Sequence, residues 1–403
     1  MAKYNWERII EVVKEVLPQC DEFAELARAV DARVAIRRTT LRDGLKRELE
    51  LSTASIVELR EALLPVDERL SPLAQALLAQ LRKQRDTAFS MLDLVERYDR
   101  SPSSIQEAAQ ELHDAGYAVD ITEDMHVLMP KELAPSVGKI PMSHWAEGNV
   151  HRYGVMSDTH LGNRNARLDV MEAAYDLFEQ EGIKLVLHAG NMVDGEFKYN
   201  RSELIAHGVE GQLCYAADNY PKREGIQTDF LSAKCHEGWW GQTIGWDVGR
   251  YMQQVFHERG RTDLVWMGHV ERDLASHSDN ERSVLRVTHP GGGSAYALSY
   301  PVQKIVESWQ GGEKPTAAIF GHYHKYDTNY VREVYCLQAG TQCDQTLFMR
   351  LNKLSANVGF CILEIRLTPY GGIQRVIHSW MPFYDKGFYA NIWDFRSMYE
   401  EAA

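Results

Sequence analysis

From about residue 148 to residue 385 the sequence predicts an α/β (or α+β) domain, and in front of it small helical modules. Three observations lead there. Apolar residues in the first 65 positions recur at spacings of three and four. Beyond residue 150 short apolar strands alternate with helices and Gly-rich turns. His and Asp then gather just past those strands.

Residues 1–65 read as helices. Trp6, Ile9, Ile10, Val13 and Leu17 share one helical face, and FAELARAVD and RRTTLRDGLKREL follow. In the last segment Thr39 or Thr40 is the expected cap, with Leu41, Leu45 and Leu49 on one face. Helix, turn and basic helix is a helix-turn-helix outline, one shared with many three-helix bundles. A polar helical connector covers about 53–84. Residues 84–130 form a second unit, beginning with the helix SMLDLVERYD. Ser101-Pro102 caps and opens the next helix, which carries Ile105, Ala108 and Leu112 and stops at Ala115-Gly116. Tyr117, Val119 and Ile121 alternate as a strand, Glu123-Asp124 turns, and Val127-Leu128-Met129 returns. Two helices and a hairpin give a winged-helix shape. The second helix has no Lys or Arg, which argues against its gripping phosphates. KELAPSVGKIP reads as a linker. The strands YGVMS, IKLVLHA, DLVWMG, SVLRVTHP, TAAIFG, VYCLQAG, FCILEI and RVIHSW then follow, and residues 386–403 are left as a C-terminal tail.

Composition narrows the function. With 44% hydrophobic and 25% charged residues the chain reads as a soluble globular protein. No apolar run approaches the roughly 18 residues a membrane span needs. The first residues carry charges throughout and lack the apolar core of a secretion signal. Six scattered cysteines without a C-x-x-C pair suit a reducing, cytoplasmic setting. A net charge of -13 excludes a globally electropositive nucleic-acid binder. A local basic stripe remains: Arg33, Arg37, Arg38, Arg42, Lys46 and Arg47 face only Asp43 among acids. That stripe is either a solvated helix face or a contact for nucleic acid. Association with further copies of the chain stays open.

The chemistry lies at the strand ends. Asp158 and His160 (SDTHLG) follow the first strand, and Asn191 and Asp194 (HAGNMVDG) the second. Cys235, His236 and Glu237 (KCHEGWW) follow an apolar FLS stretch. His289 (VTHPGGG) ends a further strand, and His322 and His324 (FGHYHK) the next. Catalytic groups gather at the carboxyl ends of strands in α/β sheets, so these loops are expected to share one rim. Imidazole with carboxylate suits Mn, Fe or Zn rather than Ca. A lone strand-end His is more often a satisfied polar group than a ligand. The D-x-H and H-x-H pairs say more, because alternate residues of an extended segment point the same way.

This ordered set resembles the calcineurin-like metallophosphoesterase superfamily, whose pattern is D-x-H, G-D-x-x-D-G, G-N-H-D/E, a strand-end His and G-H-x-H. The wording around HPGGGSAYALSY and FGHYHK is similar to phage- or prophage-borne members. The resemblance implies a two-sheet sandwich flanked by helices and two divalent metal ions, Mn first, with Zn, Fe or Ni as other candidates. It also implies that Asp158, His160 and His324 bind one metal. Cys235, His289 and His322 then bind the other, and Asn191 bridges them. His236 would protonate the leaving group or steady transition-state charge. Asp194 and Glu237 complete the candidate catalytic set as partners that fix the ligands.

Two positions depart from the pattern: the bridging Asp is Asn191, and the usual Asn is Cys235. A neutral amide bridges cations poorly, while a Cys235 thiolate would restore the missing negative charge. Either the site favours a softer metal such as Zn or Fe, or it is weakened, by nature or by design. The expected activity is hydrolysis of a phosphodiester in nucleic acid or a nucleotide. The alternatives are a phosphomonoesterase, or a degenerate DNA-binding or regulatory protein. Trp239, Trp240 and Trp246 beside the catalytic loop are either base-stacking groups or core.

Overall fold

The computed structural model describes residues 4–383 except 21, 50, 52, 57, 58, 60–62, 64–68, 143–148, 277–282, 294 and 296. The predicted tail at 386–403 and part of the connector at 53–84 lie outside the described residues. The chain divides into two compact units, Met1–Lys131 and Glu132–Ala403.

The first unit opens with α1 (Trp6–Val16), α2 (Phe23–Val34) and α3 (Arg38–Glu48). Their apolar faces meet in a core that includes Val13, Leu17, Leu26, Val30, Leu41 and Leu45. Neither Thr39 nor Thr40 caps α3. The cap position is Arg37, without a side-chain hydrogen bond, and both threonines lie inside the helix. The basic stripe is partly engaged within the unit. Arg33 pairs with Glu15 at 2.6 Å, Arg42 lies over the Phe23 ring and Arg47 over Trp6. Next come α4 (Pro72–Lys83), β1 (Phe89–Ser90), α5 (Met91–Tyr98), α6 (Pro102–Asp114), β2 (Asp120–Ile121) and β3 (His126–Leu128). Ser71, Ser90 and Ser101 cap α4, α5 and α6. The three strands form a small antiparallel sheet in the order β1-β3-β2. Tyr117 and Val119, expected in a strand, are buried just before it.

The second unit contains, among its described residues, two six-stranded sheets. Its elements are β4 (Lys139–Pro141), β5 (Val150–Met156), α7 (Leu168–Gln180), β6 (Leu185–His188), α8 (Gly208–Asn219), β7 (Gln227–Ser232), α9 (Gly238–Ile244), α10 (Val248–Glu258), β8 (Leu264–His269), β9 (Glu271–Ala275), β10 (Val284–Thr288), α11 (Tyr300–Ser308), β11 (Ala317–Phe320), β12 (Tyr326–Val331), β13 (Val334–Ala339), α12 (Leu347–Leu351), β14 (Val358–Leu367) and β15 (Ile373–Phe383). One sheet runs β15-β14-β5-β6-β7-β8, the other β12-β13-β11-β10-β9-β4. Strands β5 to β8 are mutually parallel, as are β10, β11 and β13. Tyr153, Leu187 and Leu231 from the first sheet share one core with Leu285, Ile319 and Leu337 from the second. That shared core makes the two sheets a sandwich. Helices cover it, α7 through Met171, Tyr175 and Phe178.

Candidate metal centre

Five loops converge on one rim because each leaves the carboxyl end of a parallel strand: β5, β6 and β7 in one sheet, β10 and β11 in the other. Backbone bonds knit them together. Asp158 N–H donates to Gly190 O at 2.9 Å and His160 N–H to Asn191 O at 3.1 Å. Crossing between sheets, His322 N–H donates to Asp158 Oδ2 at 2.9 Å.

The predicted residues fall into two donor triads. Asp158, His160 and His324 present atoms within 4.8 Å of one another, and so do Cys235, His289 and His322. Asn191 lies between them. Its Nδ2 donates to Asp158 Oδ1 at 3.1 Å, and its Oδ1 accepts from Cys235 Sγ at 3.4 Å. In a third grouping, Asp194 and His236 stand beside His160, again within 4.8 Å.

Three imidazoles are oriented by their far nitrogens. His160 Nδ1–H is held by Asp194 Oδ1 at 2.9 Å, His289 Nδ1–H by Ala189 O at 2.6 Å, and His322 Nε2–H by Gly292 O at 2.7 Å. Each bond fixes a tautomer and turns the other ring nitrogen toward its triad, as outer partners of metal ligands do. His324 places Nε2 3.2 Å from Asp158 and 3.0 Å from His160 Nε2, while its buried Nδ1 has no partner among the described residues.

Electrostatics favours a cation here. Burial works against a charge on His160, yet hydrogen bonds to Asp158 and Asp194 outweigh it and push the ring up to about 10. A proton thus sits where two carboxylates demand positive charge. Burial likewise opposes ionisation of Asp158, but the facing His324 and His289 hold it well below the usual range. His289 is pushed down to about 3 by burial, and His322 and His324 are lowered by the same cause. Cys235 differs from the thiolate expectation. Burial, with Glu237 and Asp158 adding, raises its thiol, so without a cation it keeps its proton. A coordinating cation would remove that proton. The donor set therefore fits a pair of divalent metals.

Left-handed backbone is concentrated here. Asp158, His160, Asn191, His236, His322 and His324 all have positive φ, between 47° and 79°. Such strain, roughly 1 kcal/mol or more per residue, marks functional loops held by their surroundings. Gly190 is required for a related reason: at φ 94° a Cβ would lie 2.5 Å from His289 Nδ1.

The outer positions are braced. Asp194 Oδ2 accepts from Asn163 Nδ2 and Asn200 Nδ2, each at 2.9 Å, two partners that no sequence spacing singled out. Glu237 is fully buried and accepts from Asn191 N and Ala233 N through Oε1, so it fixes the two loops to each other and does not face substrate. Burial raises its carboxyl to about 8. His236 donates Nδ1–H to Asp194 O at 2.9 Å, leaving Nε2 free among the described residues.

A cleft of about 310 Å³ opens over the first triad, lined by His160, His236, His322 and His324 and walled by Tyr199, Tyr323, Phe348, Met349 and Leu354. Of the three tryptophans, Trp240 and Trp246 are core residues, the latter against Tyr251 at 4.5 Å between ring centroids. Only Trp239 of the three is exposed. The aromatic wall of Tyr199 and Phe348 was not legible beforehand, because its members come from distant segments. No helix among the described residues is long and apolar enough to cross a membrane.

Residues 152–366, more than half of the chain, match the family model of the calcineurin-like phosphoesterase superfamily domain. No curated protein matches. Among solved structures, the chain is similar to an archaeal phosphodiesterase at 13% identity and a TM-score of 0.31, over 57% of this chain and 99% of that one. It is similar to Zn-complexed Vps29 from Entamoeba histolytica at 13% identity and a TM-score of 0.26, over 58% and 99%. Vacuolar protein sorting 29 from Cryptosporidium parvum gives 11% identity and a TM-score of 0.29, over 59% and 99%.

Proposed function

Since this chain belongs to the calcineurin-like phosphoesterase superfamily, we propose that it hydrolyses phosphodiesters of nucleic acid or nucleotides with two divalent cations bound, Mn first among them. The observation that carries the reading is the pair of donor triads with Asn191 between them. Asp158, His160 and His324 would hold one cation, and Cys235, His289 and His322 the other. When bound, the cations supply Lewis-acid charge and lower the pKa of the attacking water.

The chain's own residues do the rest. Asp194 keeps the Nδ1 proton of His160 in place, so Nε2 presents its lone pair to the first triad. His236 has Nδ1–H committed to Asp194 O, so Nε2 is the atom that holds a proton for the departing oxygen. Glu237 ties the Asn191 and Ala233 backbone together and keeps the bridging position between the triads. Asn191 offers one coordinating oxygen where a carboxylate offers two, and it turns its amide nitrogen toward Asp158. Weak binding at the first triad follows from that orientation. In the first unit, exposed Arg37 and Arg38 on and before α3 support the nucleic-acid side of the reading.

The test pairs this chain with Asn191→Asp. Each is stripped of metal, reloaded with Mn and assayed on a chromogenic phosphodiester, a monoester, and single- and double-stranded DNA. The variant is expected to cleave the diester well above the parent chain. Preference for the monoester would replace the diesterase reading by a phosphomonoesterase. No turnover by either protein with metal bound would overturn the enzymatic reading and leave a binding protein.

A further inference from the structure

The cleft mouth carries an aromatic row that the hydrolytic chemistry does not use. Trp239 meets Phe197 at 5.7 Å between ring centroids. Phe197 stacks on Tyr199 at 5.2 Å with planes 7° apart, and Tyr199 meets Phe348 at 5.5 Å with planes 31° apart. The row also touches the chemistry, since Phe197 stands edge-on to His236 at 5.7 Å. Its rings are nonetheless wet: Tyr199 is 56% exposed, Phe348 48% and Trp239 43%. Contiguous exposed aromatics of this kind mark a binding surface rather than core.

The wall is held in place. Phe348 belongs to α12, whose first turn is capped by Thr346, and Leu347 N–H donates to Glu203 at 3.1 Å. Glu203 also accepts from Asn165 Nδ2 at 2.9 Å, in the loop that follows His160. The charge of the cleft narrows what fits. Among the described residues lining it none is Lys or Arg, and Glu203 and Asp194 are acidic. Affinity along this wall must therefore come from a flat, apolar face and not from a run of phosphates. A base inside a duplex presents its edge only, whereas an unpaired base presents its face.

We infer that the Tyr199–Phe348 wall stacks the base of an unpaired nucleotide whose phosphate lies over His236, His322 and His324. This deepens the phosphoesterase reading and rests on it for the position of the phosphate. It assigns the substrate class as a mononucleotide ester or a single-stranded end, not a duplex.

The experiment is calorimetric binding to the Mn-loaded full chain of the non-hydrolysable phosphonate analogues of AMP and of ribose 5-phosphate, which differ only in the base. The adenine compound is expected to bind about tenfold tighter or more, the size of one base-aromatic stack. Tyr199→Ala and Phe348→Ala should each shrink that preference, and together bring it within about twofold. Phe348→Tyr should keep it. Tyr199→Leu and Phe348→Leu, which retain bulk without the ring, guard against loss of fold and should behave like the alanine variants. Equal binding of the two analogues, or a preference that survives the double substitution, overturns the inference. So would tighter binding of a phosphopeptide with a neighbouring Phe than of the adenine analogue. Failure of the hydrolytic reading is seen separately: an intact adenine preference with no turnover of any ester removes the reaction and leaves the stacking wall.

Discussion

Replacing Asn191 by Asp should change stability in opposite directions with and without metal. Asn191 Nδ2 lies 3.1 Å from Asp158 Oδ1, and both side chains are buried. A second carboxylate at that distance meets the first with a repulsion of about 5 kcal/mol at an effective dielectric of about 20. The hydrogen bond to a charged acceptor is lost as well, roughly 1.5–3 kcal/mol. Protonated His160, 3.7 Å from Asp158 Oδ1, offsets part of this. The metal-free variant should therefore be destabilised by about 3–5 kcal/mol, or roughly 10 °C for a unit of this size.

The sign with pH follows. Repulsion raises the folded-state pKa of the new carboxyl pair above its unfolded value. The stability difference from the parent is thus smallest in acid and grows as pH rises through that folded pKa. Saturating Mn should reverse the order, because on the proposed reading the carboxylate would become a ligand. A cation at 100 times its Kd adds about 2.7 kcal/mol, and the variant's lower Kd enlarges the term. Scanning calorimetry of EDTA-stripped and Mn-loaded proteins at pH 8 reads both effects. An unchanged metal-free Tm together with a Mn-induced shift equal to the parent's would refute the bridging position.

Three other outcomes follow from the geometry. His236→Ala should lower kcat of the Mn-loaded Asn191→Asp protein by about 10²–10⁴-fold while leaving Mn affinity in titration calorimetry unchanged, since its proposed role is proton delivery. Asp229 in β7 is raised to about 6 by burial, against one hydrogen bond from Gln227 Nε2 at 2.6 Å. Its folded pKa lies above the unfolded value, so stability is full below about pH 4 and is lost as pH rises through about 6, on the order of 2–3 kcal/mol. Asp229→Asn should raise the Tm at pH 8 and leave it nearly unchanged at pH 4. Gly190→Ala places a Cβ 2.5 Å from His289 Nδ1 at a φ of 94°, and should cost about 2–4 kcal/mol in thermal denaturation and displace His289 of the second triad.

The centre was legible because its residues are local in sequence relative to strands that are themselves local. A parallel strand ends, the chain turns, and His or Asp occupies the turn; that pattern survives without knowledge of pairing. What needed tertiary structure stayed invisible. The two-sheet sandwich that the resemblance implied is present, but the strands that complete its second sheet, β4, β9 and β12, are short edge or antiparallel strands whose patterns are not distinctive. Asn163 and Asn200 reach Asp194 from 31 and 6 residues away, and neither type signals a brace by itself. Position beside the catalytic loop left the three tryptophans as base-stacking groups or core, and burial puts Trp240 and Trp246 in the core. The exposed wall came from Tyr199 and Phe348, about 150 residues apart.

Strain and charge at the rim point the same way. Six of the ten candidate residues adopt left-handed backbone, a conformation that side-chain packing alone does not favour. Three imidazoles have their outward nitrogens tied to Asp194, Ala189 and Gly292, which aims their remaining lone pairs at one another. Lone pairs brought together in a buried place repel unless a positive charge stands between them. In the metal-free protein the first triad answers that demand with a proton on His160, whereas the Cys235 thiol stays neutral and donates to Asn191 Oδ1. A divalent cation would supply that charge to both triads. Asn191 is the one residue of the centre whose chemistry runs against this, since it turns an N–H toward Asp158 and carries no charge. On the proposed reading, position 191 would therefore set the strength of metal binding, since the other donors already converge.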